Sequence, residues 1–261
     1  MRKSPETPAL PWTESVLPRA KPNTRLRVQH AWERLPRRRD VADPRRYLDG
    51  LLLHRVLFAR GYTMLYPLRA RALLRLAHDV TRRGVPGALV DCGTYNGGST
   101  ALLSAGAPER PVWAFDSFQG LPEASVRDIV LDPNWAHPDK DLKTAAGLCQ
   151  GSEEMVRRAV LAYGAPEQLQ VRAGWFEDTL PIAKEEIGPI AVLHCDSDWY
   201  DSVHVTLEHL YPLVSSGGYI AIDDYGAIPG TRRATDDYRR RVGDGSRLVR
   251  VDQTGRYWRK P

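Results

Sequence analysis

Two rhythms of apolar residues divide the chain. From Pro44 to Val80 the pattern is helical. Asp43-Pro44 is a cap and first-turn pair, and Tyr47, Leu51, Leu52 and His54 to Phe58 predict one buried face. Leu65, Leu68, Ala72, Leu73, Leu76 and Val80 then recur at helical spacing and predict a second helix. Beyond residue 87 the rhythm changes to short apolar runs alternating with longer helical stretches, the signal for parallel strands joined by crossover helices. Strands are predicted over 88–92, 111–115, 168–172, 189–195 and 218–222, with helices over 99–105 and 202–213. Residues 247–251 and 256–259, separated by Asp252-Gln253-Thr254-Gly255, predict a closing antiparallel hairpin. The expected architecture is therefore α/β: a doubly wound, Rossmann-like sheet over 46–261, with its own N-terminal helices over 46–82.

Residues 1–45 read differently. Pro5, Pro8, Pro11, Pro18 and Pro22 follow in quick succession, and Pro36 precedes Arg37-Arg38-Arg39, so a basic, Pro-rich arm without a core of its own is expected. A second irregular stretch, 119–150, holds Pro122, Pro133 and Pro138 with Trp135 and His137 between them. Its length suits a lid or binding loop better than a linker.

Composition narrows the class. Of 261 residues, 42% are hydrophobic and 26% charged, ordinary for a globular protein. No apolar run approaches the ~18 residues that span a bilayer. Met1-Arg2-Lys3-Ser4-Pro5 leads into no apolar signal core, so neither export nor a membrane partner is expected. Cys92, Cys149 and Cys195 are odd in number and widely spaced, which gives neither a disulfide framework nor a zinc pattern. A cytoplasmic location is the expectation. The net charge of +5 hides an asymmetry: residues 1–60 carry 14 Lys and Arg against 6 Asp and Glu, and the remaining 201 carry 23 against 26. The basic surplus belongs to the arm and first helix, which weakens a nucleic-acid reading; no zinc, KH or RRM signature accompanies it. The arm suits an oligomer contact, so that a homo-oligomer is expected, or a cover over an acceptor site.

Two motifs carry chemistry. Val90-Asp91-Cys92-Gly93-Thr94-Tyr95-Asn96-Gly97-Gly98-Ser99 ends a strand and opens a helix, where glycines permit close backbone approach and the helix terminus offers N–H donors. Its spacing is not G-x-G-x-x-G, and the acid two positions before the first glycine suits a ligand with a cationic segment, as S-adenosyl-L-methionine has. Asp116, at the tip of the second strand, suits ribose hydroxyls. The alternatives are a plain tight turn and a helix cap. Candidate cofactor residues are Asp91, Gly93, Thr94, Tyr95, Gly97 and Ser99 of the turn, Asp116 and Ser117, Trp175 after the third strand, and Asp196.

The second motif is acidic. His194-Cys195-Asp196-Ser197-Asp198 leaves the fourth strand and Asp223-Asp224 the fifth, on the same rim as the glycine turn. Converging carboxylates repel unless protonated or neutralised, and hard oxygen donors suit Mg²⁺, Ca²⁺ or Mn²⁺. Asp196, Asp223 and Asp224 are the candidate metal ligands. Helix capping by Asp223-Asp224 explains each acid singly but not their convergence. Asp196, Asp198 and the loop residue His137 are candidate catalytic groups.

These segments resemble a known family. Phe115-Asp116-Ser117-Phe118-Gln119-Gly120-Leu121-Pro122, Gly174-Trp175-Phe176, Asp196-Ser197-Asp198-Trp199-Tyr200-Asp201-Ser202 and Gly217-Gly218-Tyr219-Ile220-Ala221-Ile222-Asp223-Asp224-Tyr225 are similar to the macrocin/mycinamicin type of sugar O-methyltransferase. The resemblance covers roughly residues 60–240. It implies a class I methyltransferase fold, S-adenosyl-L-methionine, a divalent metal (usually Mg²⁺), and a small-molecule acceptor: a hydroxyl of a deoxysugar on a natural product such as an antibiotic. The turn departs from the family pattern, reading Asp-Cys-Gly-Thr-Tyr-Asn-Gly-Gly in place of acid-Thr-Gly-Val-Trp-Arg-Gly-Gly. Two alternatives stay open: a catechol-type or N-methyltransferase on the same scaffold, and a non-catalytic module using the basic arm on nucleic acid.

Overall fold

The alternation of short β-rich runs with amphipathic segments folds as a single twisted sheet covered on both faces. The computed structural model of the chain describes residues 44–128 and 145–261, with side chains from Asp49 onward. His137, Trp135 and the arm up to residue 43 lie outside them. The described elements run α1 (Pro44–Ala59), α2 (Pro67–Arg82), β1 (Ala88–Cys92), α3 (Gly98–Gly106), β2 (Val112–Asp116), α4 (Glu153–Tyr163), β3 (Leu169–Ala173), α5 (Phe176–Ile187), β4 (Ile190–Cys195), α6 (Tyr200–Leu210), β5 (Val214–Ile222), α7 (Pro229–Arg241), β6 (Val249–Arg250) and β7 (Arg256–Arg259). The sheet order is β3-β2-β1-β4-β5-β7-β6. Strands β1 to β5 are parallel, and β7 runs antiparallel to both β5 and β6, which is the predicted closing hairpin.

A parallel sheet needs both faces buried, so its strands read as nearly continuous apolar runs. In β1, Leu89 enters one core with Leu57, Leu73, Leu76, Leu102 and Val160. Its neighbours Ala88, Val90 and Cys92 enter the other, with Leu180, Leu207, Leu210 and Trp258. Pro44–Pro261 forms one compact unit. Among the described residues, no helix is long and apolar enough to cross a membrane.

Three expectations shift. The apolar run of α1 does not all face inward: His54 and Leu57 are buried, whereas Leu52, Val56 and Phe58 are exposed. Consecutive residues cannot share one face of a helix with 3.6 residues per turn. Strand β5 begins four residues early, at Val214, and its pairing with β4 shifts register between Ile190 and Val192. The stretch before β3 contains α4, whose first turn carries Glu153 and Glu154 and whose cap is the Ser152 hydroxyl accepting the Met155 N–H at 3.2 Å. The 119–150 loop is closed at its neck: Leu121 N–H donates to Leu148 O at 2.8 Å, and Gly147 N–H to Leu121 O at 2.9 Å.

The end of α2 is fastened to β5 through Asp79, which accepts from Arg83 Nε at 2.7 Å, Tyr219 Oη at 2.8 Å and Arg82 Nη2 at 2.9 Å. Partial burial works against the Asp79 charge, but these donors win and hold its pKa down at about 2. A depressed carboxylate pKa stabilises the fold above the unfolded value and ceases to do so as pH falls through the folded one. Asp79→Asn is therefore expected to lose about 1 kcal/mol or less at pH 7, since the site is partly exposed, and to match the wild type near pH 2. Urea denaturation at both pH values measures the difference.

Candidate active site

The five parallel strands deliver their carboxyl ends to one rim, where open α/β sheets hold their ligands. A cavity of about 660 Å³ lies there, lined by residues from the exits of β1 to β5 and from the segment before α2. Its floor depends on Gly93. At φ +85° this residue lies in the left-handed region, and a Cβ there would sit 1.8 Å from the backbone oxygen of Asp196. Gly93 N–H donates to Phe115 O at 2.9 Å and Asp196 N–H to Cys92 O at 2.8 Å, so the exits of β1, β2 and β4 are joined directly.

One half of the cavity suits a nucleoside. Asp116 lies on its wall, with Oδ2 accepting the Tyr95 N–H and Oδ1 the Phe118 N–H, both at 2.8 Å. Burial pushes its carboxyl above the ordinary range, against those N–H bonds. A carboxylate has more acceptor sites than these bonds use, which leaves capacity for a ligand hydroxyl. Ser117, Gly174 and Trp175 line the same wall. Thr94 is buried beside it with a hydroxyl that has no partner among the described residues, a polar group that a bound ligand can satisfy.

The other half is acidic. Carboxylate oxygens of Asp196, Asp198 and Asp224 all lie within 4.8 Å of one another. Asp198 occupies the left-handed region at φ +57°, and its carbonyl accepts the Thr231 hydroxyl. The next two residues are also fixed. Trp199 Nε1 donates to Pro122 O at 2.9 Å and Tyr200 N–H to the buried Asp128 at 2.6 Å, which ties the loop after β2 to the loop after β4. Burial, then the neighbouring carboxylates, push both Asp196 and Asp198 well above the ordinary carboxylate range. Asp223 is raised less, to about 6, because burial is opposed by Arg69.

Arg69 is the counter-charge. It is buried on α2 and reaches across the rim: Nη1 contacts Asp223 and lies 3.3 Å from Asp224, Nε donates to Asp252 at 2.9 Å, and Nη2 donates to Thr254. Burial disfavours its charge, and the three carboxylates more than reverse that. Asp91 lies beneath, fully buried, accepting from Ser99 Oγ at 2.7 Å and Thr100 Oγ1 at 2.5 Å and paired with His194 Nδ1 at 2.7 Å.

Comparison with known proteins places the chain in a family. The model of the macrocin O-methyltransferase (TylF) family matches residues 26–260. The chain belongs to that family. It is similar to demethyldecarbamoylnovobiocin O-methyltransferase of Streptomyces niveus, with 36% identity over 77% of each chain. Mycinamicin III 3''-O-methyltransferase of Micromonospora griseorubida is 35% identical over 77% of this chain and 79% of its own. The solved structure of the O-methyltransferase NovP superposes with a TM-score of 0.66 at 36% identity, covering 76% of this chain and 82% of that one.

The cavity is built from strand ends, and several expected residues stand elsewhere than the sequence suggests. Gly93, Thr94, Tyr95, Ser99, Asp116, Ser117, Trp175 and Asp196 all line the cavity. Asp91 and Gly97 do not. The Asp91 carboxylate is consumed by Ser99, Thr100 and His194, so it braces the turn from behind. Gly97, at φ +86°, packs against α4, where a Cβ would lie 2.6 Å from the Val156 backbone. Among the expected ligands, Asp196 and Asp224 meet in one trio, but its third member is Asp198. Asp223 is turned to Arg69 and groups with His194 and Asp196 instead. Arg69 itself went unread, although the sequence signals it: a cation at 69 interrupts the stripe Leu65, Ala72, Leu76, Val80 at helical spacing.

Gly93→Ala is expected to push the β1 and β4 exits apart, destabilising the fold by about 3 kcal/mol or more and weakening nucleoside binding. Thermal denaturation and calorimetric titration of the cofactor measure the two effects.

Proposed function

We propose that this family member transfers a methyl group from S-adenosyl-L-methionine to a hydroxyl of a sugar carried by a natural product, assisted by a divalent cation, most simply Mg²⁺. The observation that carries the reading is the meeting of Asp196, Asp198 and Asp224 beside a cavity with a nucleoside-like wall. Three hard oxygen donors suit Mg²⁺ or Mn²⁺ and not a thiolate-preferring metal. A cation held by them supplies the positive charge that makes an acceptor hydroxyl easier to deprotonate.

The protein's own groups do the rest. Asp116, Trp175 and the Thr94 hydroxyl line the wall where they would hold the donor's nucleoside beside the acidic half of the cavity. Asp198 is drawn into the oxygen set, which leaves the sequence candidate His137, outside the described residues, as the proposed group for the hydroxyl proton. Bound there, the donor would supply an electrophilic methyl group to the deprotonated acceptor oxygen, with S-adenosylhomocysteine as the leaving product. The relatives that act on novobiocin and mycinamicin intermediates support a glycosylated, antibiotic-like acceptor.

Chelation with EDTA is expected to abolish methyl transfer from labelled donor to such acceptors, and added Mg²⁺ to restore it. Full turnover in chelated protein contradicts the metal reading, and transfer to catechols alone contradicts the acceptor reading. Separately, His137→Ala is expected to lower kcat by about 100-fold or more while donor affinity holds, as loss of a general base does. An unchanged kcat, followed in the same assay, removes His137 from the mechanism.

A further inference from the structure

Arg69 stands where a second cation has to be placed. Its guanidinium fork uses all three nitrogens. On the rim side Nη1 meets Asp223 and Asp224; on the other side Nε and Nη2 meet Asp252 and Thr254. The far side is itself rigid. Asp252 is the centre of the β6–β7 turn: its Oδ1 accepts the N–H groups of Thr254 at 2.9 Å and Gly255 at 2.7 Å, leaving Oδ2 for Arg69. The Tyr66 ring, 5.3 Å from the guanidinium carbon, lies alongside. Arg69, Asp223 and Asp252 are each buried to nine-tenths or more.

We propose that Arg69 is a positioning residue that serves as the resident counter-cation of the acidic rim, and that the divalent cation binds in competition with it. This rests on the metal reading above. Asp224 is the hinge of the argument, because one of its oxygens belongs to the Asp196–Asp198–Asp224 trio while another contact runs to Arg69. Two cations sharing one carboxylate repel each other, and the repulsion is strong where solvent screening is weak. Without Arg69 the four rim carboxylates would face one another unneutralised, which stabilises any divalent cation that enters and destabilises the protein without one. The turn built on Asp252 sets how far the guanidinium leans toward the rim. Removing that anchor commits the whole charge of Arg69 to Asp223 and Asp224.

The test is Mn²⁺ binding to the full-length protein, followed by the electron paramagnetic resonance of free Mn²⁺, with melting temperature measured in chelator. Arg69→Met is expected to bind Mn²⁺ about tenfold tighter, as removal of a nearby like charge requires, and to melt lower than wild type in chelator. Arg69→Lys, which keeps the charge but cannot bridge, is expected between the two. Asp252→Asn is expected to bind Mn²⁺ more weakly than wild type. A purely structural Arg69 would lower the melting temperature with Mn²⁺ affinity unchanged or weaker, and that result overturns the proposal. Should Arg69→Met fail to fold, unchanged or tighter binding by Asp252→Asn overturns it. Wild-type protein that binds no Mn²⁺ overturns the metal reading and this one together. Wild-type binding without tightening in Arg69→Met overturns this one alone.

Discussion

Like charges held at close quarters in a poorly solvated wall are the constraint on which this molecule turns. Asp196, Asp198, Asp223 and Asp224 leave the ends of two adjacent strands, and the pairing of Cys195 with Ile222 brings them to one rim. Burial, and then the neighbouring carboxylates, push Asp196, Asp198 and Asp223 toward their neutral forms. The fold answers with a cation delivered from outside the sheet. Arg69 comes from the helical extension that precedes β1, and Asp252 and Thr254, which hold it, come from the hairpin that follows α7. The two ends of the domain thus meet at the charges made by its centre.

A second buried layer lies under the first. Asp91 on β1 and His194 on β4 face each other across adjacent strands, and Ser99 and Thr100 of α3 complete the set. His194 is buried, which disfavours its charge, yet the pairing with Asp91 raises its pKa above the ordinary value. The turn that opens α3 is therefore held by the same strand that carries the acidic loop. The nucleoside-like wall and the acidic half of the cavity share one scaffold, and Gly93 keeps it closed.

Much of this was legible in the sequence, and the failures have physical causes. The strands were readable because a parallel sheet buries both faces and leaves continuous apolar runs bounded by Gly, Pro and Asp. The convergence of Asp196 and Asp224 followed from strand order alone. What one dimension concealed was direction. Asp91 and Asp116 both end strands beside a glycine turn, but Asp91 points behind the turn and Asp116 onto the cavity wall. Asp223 and Asp224 are adjacent in sequence and consequently diverge, one to Arg69 and one to the trio. The contacts of Arg69 span 154 to 185 residues of sequence, and no local pattern reports such pairs. Its only trace was a charge on an apolar stripe.

We propose that a divalent cation at Asp196, Asp198 and Asp224 completes the charge balance of the rim. Diffraction from crystals soaked in Mn²⁺, measured at the manganese absorption edge, tests it most directly. The account predicts one anomalous peak between those three carboxylates, with Asp223 still facing Arg69. A peak between His194 and Asp223, or none at all while Asp224 stays paired with Arg69, would contradict it.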